Sequence, residues 1–427
     1  MSKEVIVVQG NRFLSGTVVV SGAKNSALKL MAASILGNGF SKIHNIPNIS
    51  DISIMAEVLK HLGASVSRAD HTLLINTSSI NCMETPYELV TKMRASISVL
   101  GPLIGRFGSA RVAMPGGCQI GARKIDMHLV GLEALGVCFE IDHGYLEAST
   151  PNGLRGVPVV LEFPSVGATE NLMMAAVVAK GNTTIENAAR EPEIVDLAHM
   201  LIEMGAKIKG AGTSCIEIEG VDISELGPCE HTTVSDRIEA GTLLTGGALM
   251  GGPLTVSGID PAFLRMAIMK LEAMGCEIEI SQDEITIFRD KPLCATEIQT
   301  LPHPGFPTDL QAQFMLLACV AEGNSVITEN IFENRFMFAS ELMRMGADIT
   351  IDGHHALVRG VSGLQGAPVS CTDLRAGAAL VLAGIYAEGE TYIHDIYHID
   401  RGYENYVGKL RSLGAQLKRI TLDDTCG

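Results

Sequence analysis

Met274-Gly275-Cys276-Glu277-Ile278-Glu279-Ile280-Ser281-Gln282-Asp283-Glu284-Ile285-Thr286-Ile287-Phe288 reads as a helix end, a glycine cap and two short strands. Glycine just past a helix terminus adopts the left-handed cap at no steric cost. The alternating runs at 277–280 and 284–288, parted by polar residues, carry the two-residue period of a hairpin. The pattern of hydrophobic residue, glycine and small residue recurs at Leu62-Gly63-Ala64, Leu135-Gly136-Val137, Met204-Gly205-Ala206, Met345-Gly346-Ala347 and Leu413-Gly414-Ala415. Successive glycines lie 73, 69, 70, 71 and 68 residues apart. A fixed period of this kind governs the whole architecture.

Each of the six units reads as an apolar helix (residues 25–37 or 312–323), a short strand (325–329) and a second helix (335–345) closed by the repeat glycine. Two more strands then follow. Residues 376–387 carry no charge, so the first helix of each unit is expected to be buried all round. Ile54, Val58, Leu59 and Leu62 share one face, so the second helices are amphipathic and outer. The expectation is an α/β protein of two domains, each made of three repeated α/β units around buried inner helices.

One repeat departs from the rest. From mid-strand to capping glycine, Ile43–Gly63 spans 20 residues, Ile185–Gly205 20, Val256–Gly275 19, Ile327–Gly346 19 and Ile393–Gly414 21. Val112–Gly136 spans 24. The extra residues fall in Pro115-Gly116-Gly117-Cys118-Gln119-Ile120-Gly121-Ala122-Arg123. Insertions in one repeat map to loops, and loops on rigid scaffolds carry binding residues. Here glycines allow close approach to a small ligand, and a nearby guanidinium favours a reactive thiolate at Cys118.

The formal net charge of −16 argues against sequence-independent nucleic-acid binding. No uninterrupted apolar run reaches the ~18 residues of a membrane helix. Met1-Ser2-Lys3-Glu4 does not read as a signal peptide. The ten cysteines show neither CxxC nor metal-like spacing, so reduced thiols in a cytoplasm are expected, inert and buried apart from Cys118.

Against the acidic total, cations stand at special places. Lys24, Arg94, Arg237 and Arg375 lie at or near first-helix starts; Arg123, Arg335 and Arg401 lie near second-helix starts. Helix N-termini attract anions, so cations reused there suggest phosphate or carboxylate ligands. The alternative is local pairing with carboxylates such as Asp236, Asp373 or Asp400. Asp309 can be an N-cap, a general base beside the anion site, or both. His128 can form a helix-start pair with Asp126. Gly246-Gly247-Ala248-Leu249-Met250-Gly251-Gly252 lacks the Lys of a P-loop and reads as a helix end and turn.

These segments, with Ser21-Gly22-Ala23-Lys24-Asn25, Met93-Arg94-Ala95-Ser96, Ser165-Val166-Gly167-Ala168-Thr169, Glu186-Asn187-Ala188-Ala189-Arg190-Glu191-Pro192-Glu193, Phe306-Pro307-Thr308-Asp309, Phe332-Glu333-Asn334-Arg335-Phe336, Thr372-Asp373-Leu374-Arg375-Ala376 and His398-Ile399-Asp400-Arg401-Gly402-Tyr403, resemble the UDP-N-acetylglucosamine enolpyruvyl transferase family. The resemblance spans essentially the whole chain. It implies a two-domain inside-out α/β barrel, with one domain at 22–232 and the other at 1–21 plus 233–427. It also implies ligands in the cleft between them and a lid formed by the Cys118 loop.

The implied reaction moves enolpyruvate from phosphoenolpyruvate to the 3′-hydroxyl of UDP-N-acetylglucosamine, by addition and then elimination of phosphate. This is the first committed step of peptidoglycan synthesis. Cys118 resembles the family's general acid and Asp309 its proposed base; Lys24, Asn25, Arg123 and Arg401 match the phosphoenolpyruvate clamp. Arg94, Arg335 and Arg375 match further cleft arginines. Arg123, Lys124, Ile125, Asp126, Met127, Phe163, Pro164, Ser165, Val166, Asp309 and Ile331 match the nucleotide-sugar contacts. No metal or cofactor is implied. Lys124 replaces a proline common in the family, and Phe163-Pro164 stand where a basic residue is frequent. Because the loop residue is Cys118 and not Asp, fosfomycin is expected to alkylate it; full activity after saturating treatment would contradict this. The competing readings are a transferase acting on shikimate 3-phosphate and a catalytically silent nucleotide-sugar binder.

Overall fold

The computed structural model describes residues 3–90, 93–114 and 125–422. All six repeat glycines have positive φ, between 94° at Gly275 and 117° at Gly205. Each of them reverses the chain from helix into strand. Glu277–Ile280 and Glu284–Phe288 form the antiparallel hairpin read from the sequence, with Glu277 opposite Phe288.

Six small sheets result, one per repeat. The strands that follow the six inner helices are Phe40–His44, Ser109–Ala113, Asn182–Glu186, Leu254–Ser257, Asn324–Thr328 and Glu390–His394, all but Ser109–Ala113 lying inside their sheets. Five have a short parallel neighbour that the sequence reading missed: Glu230–Thr232, Pro158–Val160, Gly16–Val19, Glu297–Gln299 and Pro368–Ser370. Residues this few, with a single inward side chain, are too short for alternation to show. In the second repeat a single parallel bridge, Glu84 to Arg111, takes that place.

The sixth repeat also departs from expectation. Among the described residues only Gln416–Leu422 follows its helices, and the missing hairpin partner is the strand Lys3–Gln9. That strand lies antiparallel to both neighbours, with Ile6 opposite Ile393 and Arg419.

The chain divides into two compact units. Met1–Ser21 joins Ser235–Gly427 in one; Gly22–Gly117 and Arg123–Val234 make the other. Each has its own apolar core. The inner helices are Arg237–Met250, Gln311–Cys319 and Leu374–Tyr386 in the first, and Lys24–Ala33, Leu100–Phe107 and Val166–Ala176 in the second. Every residue of Arg237–Met250 is buried. Helices hydrophobic on all sides can only lie inside, with sheets covering them. Close approach demands glycine: a Cβ on Gly101 would meet the Asn171 carbonyl oxygen at 2.4 Å.

The second helix of the fifth repeat is shorter than the expected 335–345, running only Ala339–Arg344. Residues before it form i to i+3 turns, with Met337 N–H on Asn334 O (3.3 Å) and Ala339 N–H on Phe336 O (2.9 Å). Arg335, Phe336 and Phe338 are all buried there. Among the described residues no helix is long and apolar enough to cross a membrane.

Candidate active site

In the unit containing the C-terminal half, Phe306-Pro307 lead into a 3-10 turn, Thr308–Leu310, ahead of the inner helix Gln311–Cys319. Asp309 lies inside this turn and does not act as its N-cap, which is Pro307. Its carboxylate instead holds two arginines, Arg335 from further along the same repeat and Arg375 from the next. Arg335 Nη2 donates to Oδ1 at 2.9 Å; Arg375 Nε donates to Oδ2 at 3.2 Å, with its Nη2 3.1 Å from the same oxygen. The arginine side chains are 4% and 2% exposed, while Asp309 is 25% exposed.

Such burial opposes a guanidinium charge, but the facing Tyr403 phenol, Asp309 and Asp236 outweigh it and raise Arg375 above its ordinary value. Nη1 of both arginines is buried and has no hydrogen-bond partner among the described residues. Buried donors without acceptors are costly and mark places where a ligand can supply them.

Arg375 does not pair locally with Asp373. That side chain caps the helix, accepting from Arg375 N (2.8 Å) and Ala376 N (3.1 Å). Asp236 caps Arg237–Met250 in the same way. Tyr403 is buried against Arg375 and shares a hydrogen bond of 3.0 Å with Thr242. Arg401 ends the short helix Tyr397–Asp400, ahead of the second helix Tyr406–Ser412. Desolvation, helped by the Arg401 charge, pushes His398 below its ordinary value. Asp400 takes the guanidinium of Arg419.

Ile331 is fixed by a residue that the sequence reading passed over. Glu329 is 1% exposed and accepts from Ile331 N at 2.8 Å and Thr308 Oγ1 at 2.9 Å. Its only sequence signal is a charge at the end of an apolar strand.

In the other unit, Lys24 opens the inner helix Lys24–Ala33 and Asn25 follows it. The Lys24 ammonium meets Asp51 at 2.7 Å, and the two side chains are 8% and 2% exposed. This is a local pairing of the kind weighed above, though with Asp51, a residue not singled out. Ile125 caps the helix Asp126–Ala134, and Ser165 caps Val166–Ala176 through its hydroxyl, which accepts from Ala168 N at 3.4 Å.

These two helix starts adjoin. A Cβ on Gly167 would lie 3.0 Å from the His128 ring. So Ile125, Asp126 and Met127 come near Phe163, Pro164, Ser165 and Val166 on one side of this unit. Phe163 is 39% exposed. His128 does not pair with Asp126; its Nδ1 accepts from Asn171 Nδ2 at 2.9 Å. Desolvation, with the nearby Lys29 charge, lowers the imidazole to about 4.

Arg94 opens the 3-10 helix Arg94–Val99, and its side chain lies outside the described set. Cys118, Arg123 and Lys124 also lie outside the described residues. The eight cysteines among the described residues are free. Burial pushes Cys229 and Cys319 up to about 12 and Cys276 up to about 11, as inert thiols should be. Cys138 and Cys294 are exposed, contrary to the expectation of burial. Cys138 opens the strand Cys138–Asp142, and Cys294 lies at an isolated bridge to Glu322. Among the described residues no group of three or more His, Cys, Asp or Glu is arranged to hold a metal.

Residues 8–410 match the family described as EPSP synthase (3-phosphoshikimate 1-carboxyvinyltransferase). The UDP-N-acetylglucosamine 1-carboxyvinyltransferase of Trichlorobacter lovleyi is 51% identical over 97% of this chain and 99% of its own length. That of Corynebacterium jeikeium is 51% identical over 98% and 99%. Among solved structures, the enolpyruvyl transferase NikO from Streptomyces tendae superposes with a TM-score of 0.90 at 27% identity, covering 99% of this chain and 100% of that one. EPSP synthase from Acinetobacter baumannii gives 0.75 at 16% identity, over 98% and 100%, a likeness of fold alone. The chain belongs to the EPSP synthase family of enolpyruvyl transferases, grouping within it with the UDP-N-acetylglucosamine 1-carboxyvinyltransferases.

Proposed function

We propose that this protein transfers the enolpyruvyl group of phosphoenolpyruvate to the 3′-hydroxyl of UDP-N-acetylglucosamine, releasing phosphate in the first committed step of peptidoglycan synthesis in the cytoplasm. The observation that carries the reading is 51% identity, sustained over 97% of the chain, to relatives bearing that activity in their name. The Asp309 cluster supports it: one carboxylate and two buried cations, each with an unpartnered donor, suit an anionic substrate and a hydroxyl to be deprotonated.

In the addition step Cys118 delivers a proton to the methylene carbon of phosphoenolpyruvate. The adjacent carbon accepts the sugar 3′-oxygen, whose proton passes to Asp309. In the elimination step the methyl carbon loses a proton, the C–O bond to phosphate breaks and the enol ether forms. Lys24, Asn25, Arg123 and Arg401 hold the phosphate and carboxylate. Arg335 and Arg375 steady Asp309 and offer their remaining donors, with Arg94 as a further cation. Residues 123–127, 163–166 and 331 contact the sugar nucleotide.

The test is phosphate release from phosphoenolpyruvate, with and without UDP-N-acetylglucosamine, on wild type and Cys118→Ser. Release that requires the sugar nucleotide and collapses in the variant is expected. Sugar-dependent release that survives in the variant would remove Cys118 as the essential acid. No release at all would remove the assignment.

A further inference from the structure

The fifth repeat carries one residue more than its counterparts between the central strand and the turn that follows. In the first repeat Asn45 turns the chain with φ 55°, and its Nδ2 donates to Thr233 O at 2.9 Å. In the third, Asn187 has the same φ of 55° and donates to Leu161 O at 2.8 Å. Both asparagines stand two positions beyond the strand residue, Ile43 or Ile185, that faces the middle of the short parallel neighbour. In the fifth repeat the asparagine making the equivalent bond is Asn330, whose Nδ2 donates to Thr300 O at 3.0 Å. It stands three positions beyond the matching residue, Ile327. The additional residue is Glu329.

Glu329 is buried to 1% exposure, and its carboxylate is satisfied by four neutral donors. Oε1 accepts from Thr300 Oγ1 (3.0 Å), Ile331 N (2.8 Å) and Phe332 N (3.1 Å). Oε2 accepts from Thr308 Oγ1 (2.9 Å). A buried carboxylate is retained only where its hydrogen bonds offset desolvation. Here those bonds reach two segments at once. One is the turn bearing Asp309. The other is the Ile331-Phe332 stretch, whose Phe332 ring lies under the Arg335 guanidinium with Cζ 5.4 Å from its centroid.

We propose that Glu329 is a positioning residue for the acceptor subsite, setting Asp309 and Ile331 at a fixed separation so that the sugar nucleotide meets both. The inference rests on the function proposed above. The four hydrogen bonds of Glu329 run to the Thr300, Thr308 and Ile331-Phe332 segments, so its effect falls on the acceptor.

The experiment measures KM for each substrate separately in Glu329→Ala and Glu329→Gln. Hydrogen bonds to a charged group are worth enough that their loss raises the acceptor KM by roughly tenfold or more. The phosphoenolpyruvate KM stays within about twofold, well inside the loss of one hydrogen bond. Glu329→Gln recovers most of the loss, because its amide oxygen still accepts from the two backbone N–H groups and Thr300 Oγ1, and its NH2 can donate to the Thr308 hydroxyl.

An unchanged acceptor KM in Glu329→Ala overturns the proposal. So does an equal rise in both KM values, or a Gln variant as impaired as Ala. If Glu329→Ala does not fold, Thr308→Val removes the single bond to Oε2, and an acceptor KM unmoved by it also overturns the proposal. Wild type lacking sugar-dependent phosphate release would instead defeat the underlying function.

Discussion

At the scale of single residues, the candidate site is a set of charges that local sequence could not pair. Arg335 and Arg375 lie 26 and 66 residues from Asp309, one further along the same repeat and one in the next, and the three meet only once the repeats close around their helices. The sequence marked all three as exceptional and left the partners open. Lys24 is similar: its counter-ion, Asp51, begins the next helix and carries no signal beyond its charge. Breaking a buried pair leaves an uncompensated charge and costs ~3–5 kcal/mol, whereas removing both charges costs much less. Asp51→Asn and Lys24→Met should therefore each lower the unfolding free energy by that order. The double variant should regain much of the stability while phosphate release stays lost. Denaturant unfolding measures this, and a double variant no more stable than either single one would contradict the pairing account.

At the scale of elements, the repeat was the most legible feature, because glycine at a helix end answers to backbone geometry alone. Hairpins 277–280 and 284–288 were readable for the same reason: alternation fixes which side chains face the core. What escaped depended on distant partners. The short parallel strands exist only because a central strand offers an edge, and Lys3–Gln9 finds its place between strands nearly four hundred residues later.

The glycines also give a graded test. At Gly346, with φ 98°, an added Cβ meets nothing within 4 Å, so Gly346→Ala should cost only the left-handed conformation, ~1–2 kcal/mol. At Gly63, with φ 106°, the Cβ would lie 2.6 Å from the Ser79 carbonyl oxygen, and the loss should be distinctly larger. Equal losses in the two unfolding midpoints would show that these glycines are not conformational caps.

At the scale of the whole molecule, two buried histidines set opposite limits on stability with pH. His128 is lowered from 6.5 to about 4, first by desolvation and then by Lys29. Its contribution is fully present above 6.5 and is lost as pH falls through about 4, amounting to ~3 kcal/mol. His231 faces desolvation too, but its bonds to Asp196 (2.8 Å) and Glu203 (2.7 Å) prevail and raise it. Its contribution is present below 6.5 and fades as pH climbs through the raised folded value. His128→Asn, which can still accept from Asn171, should flatten the acid limb of the stability profile and leave the alkaline limb unchanged. An acid limb as steep as that of wild type would assign the loss to other groups.

The central claim is that this two-unit fold moves an enolpyruvyl group onto a sugar nucleotide. It is tested most directly by identifying the product of a reaction containing phosphoenolpyruvate, UDP-N-acetylglucosamine and shikimate 3-phosphate together. The expected result is UDP-N-acetylglucosamine carrying an enol ether at its 3′-oxygen, formed mole for mole with phosphate, and shikimate 3-phosphate unchanged. Enolpyruvyl on shikimate 3-phosphate, or phosphate released with neither acceptor modified, would contradict it.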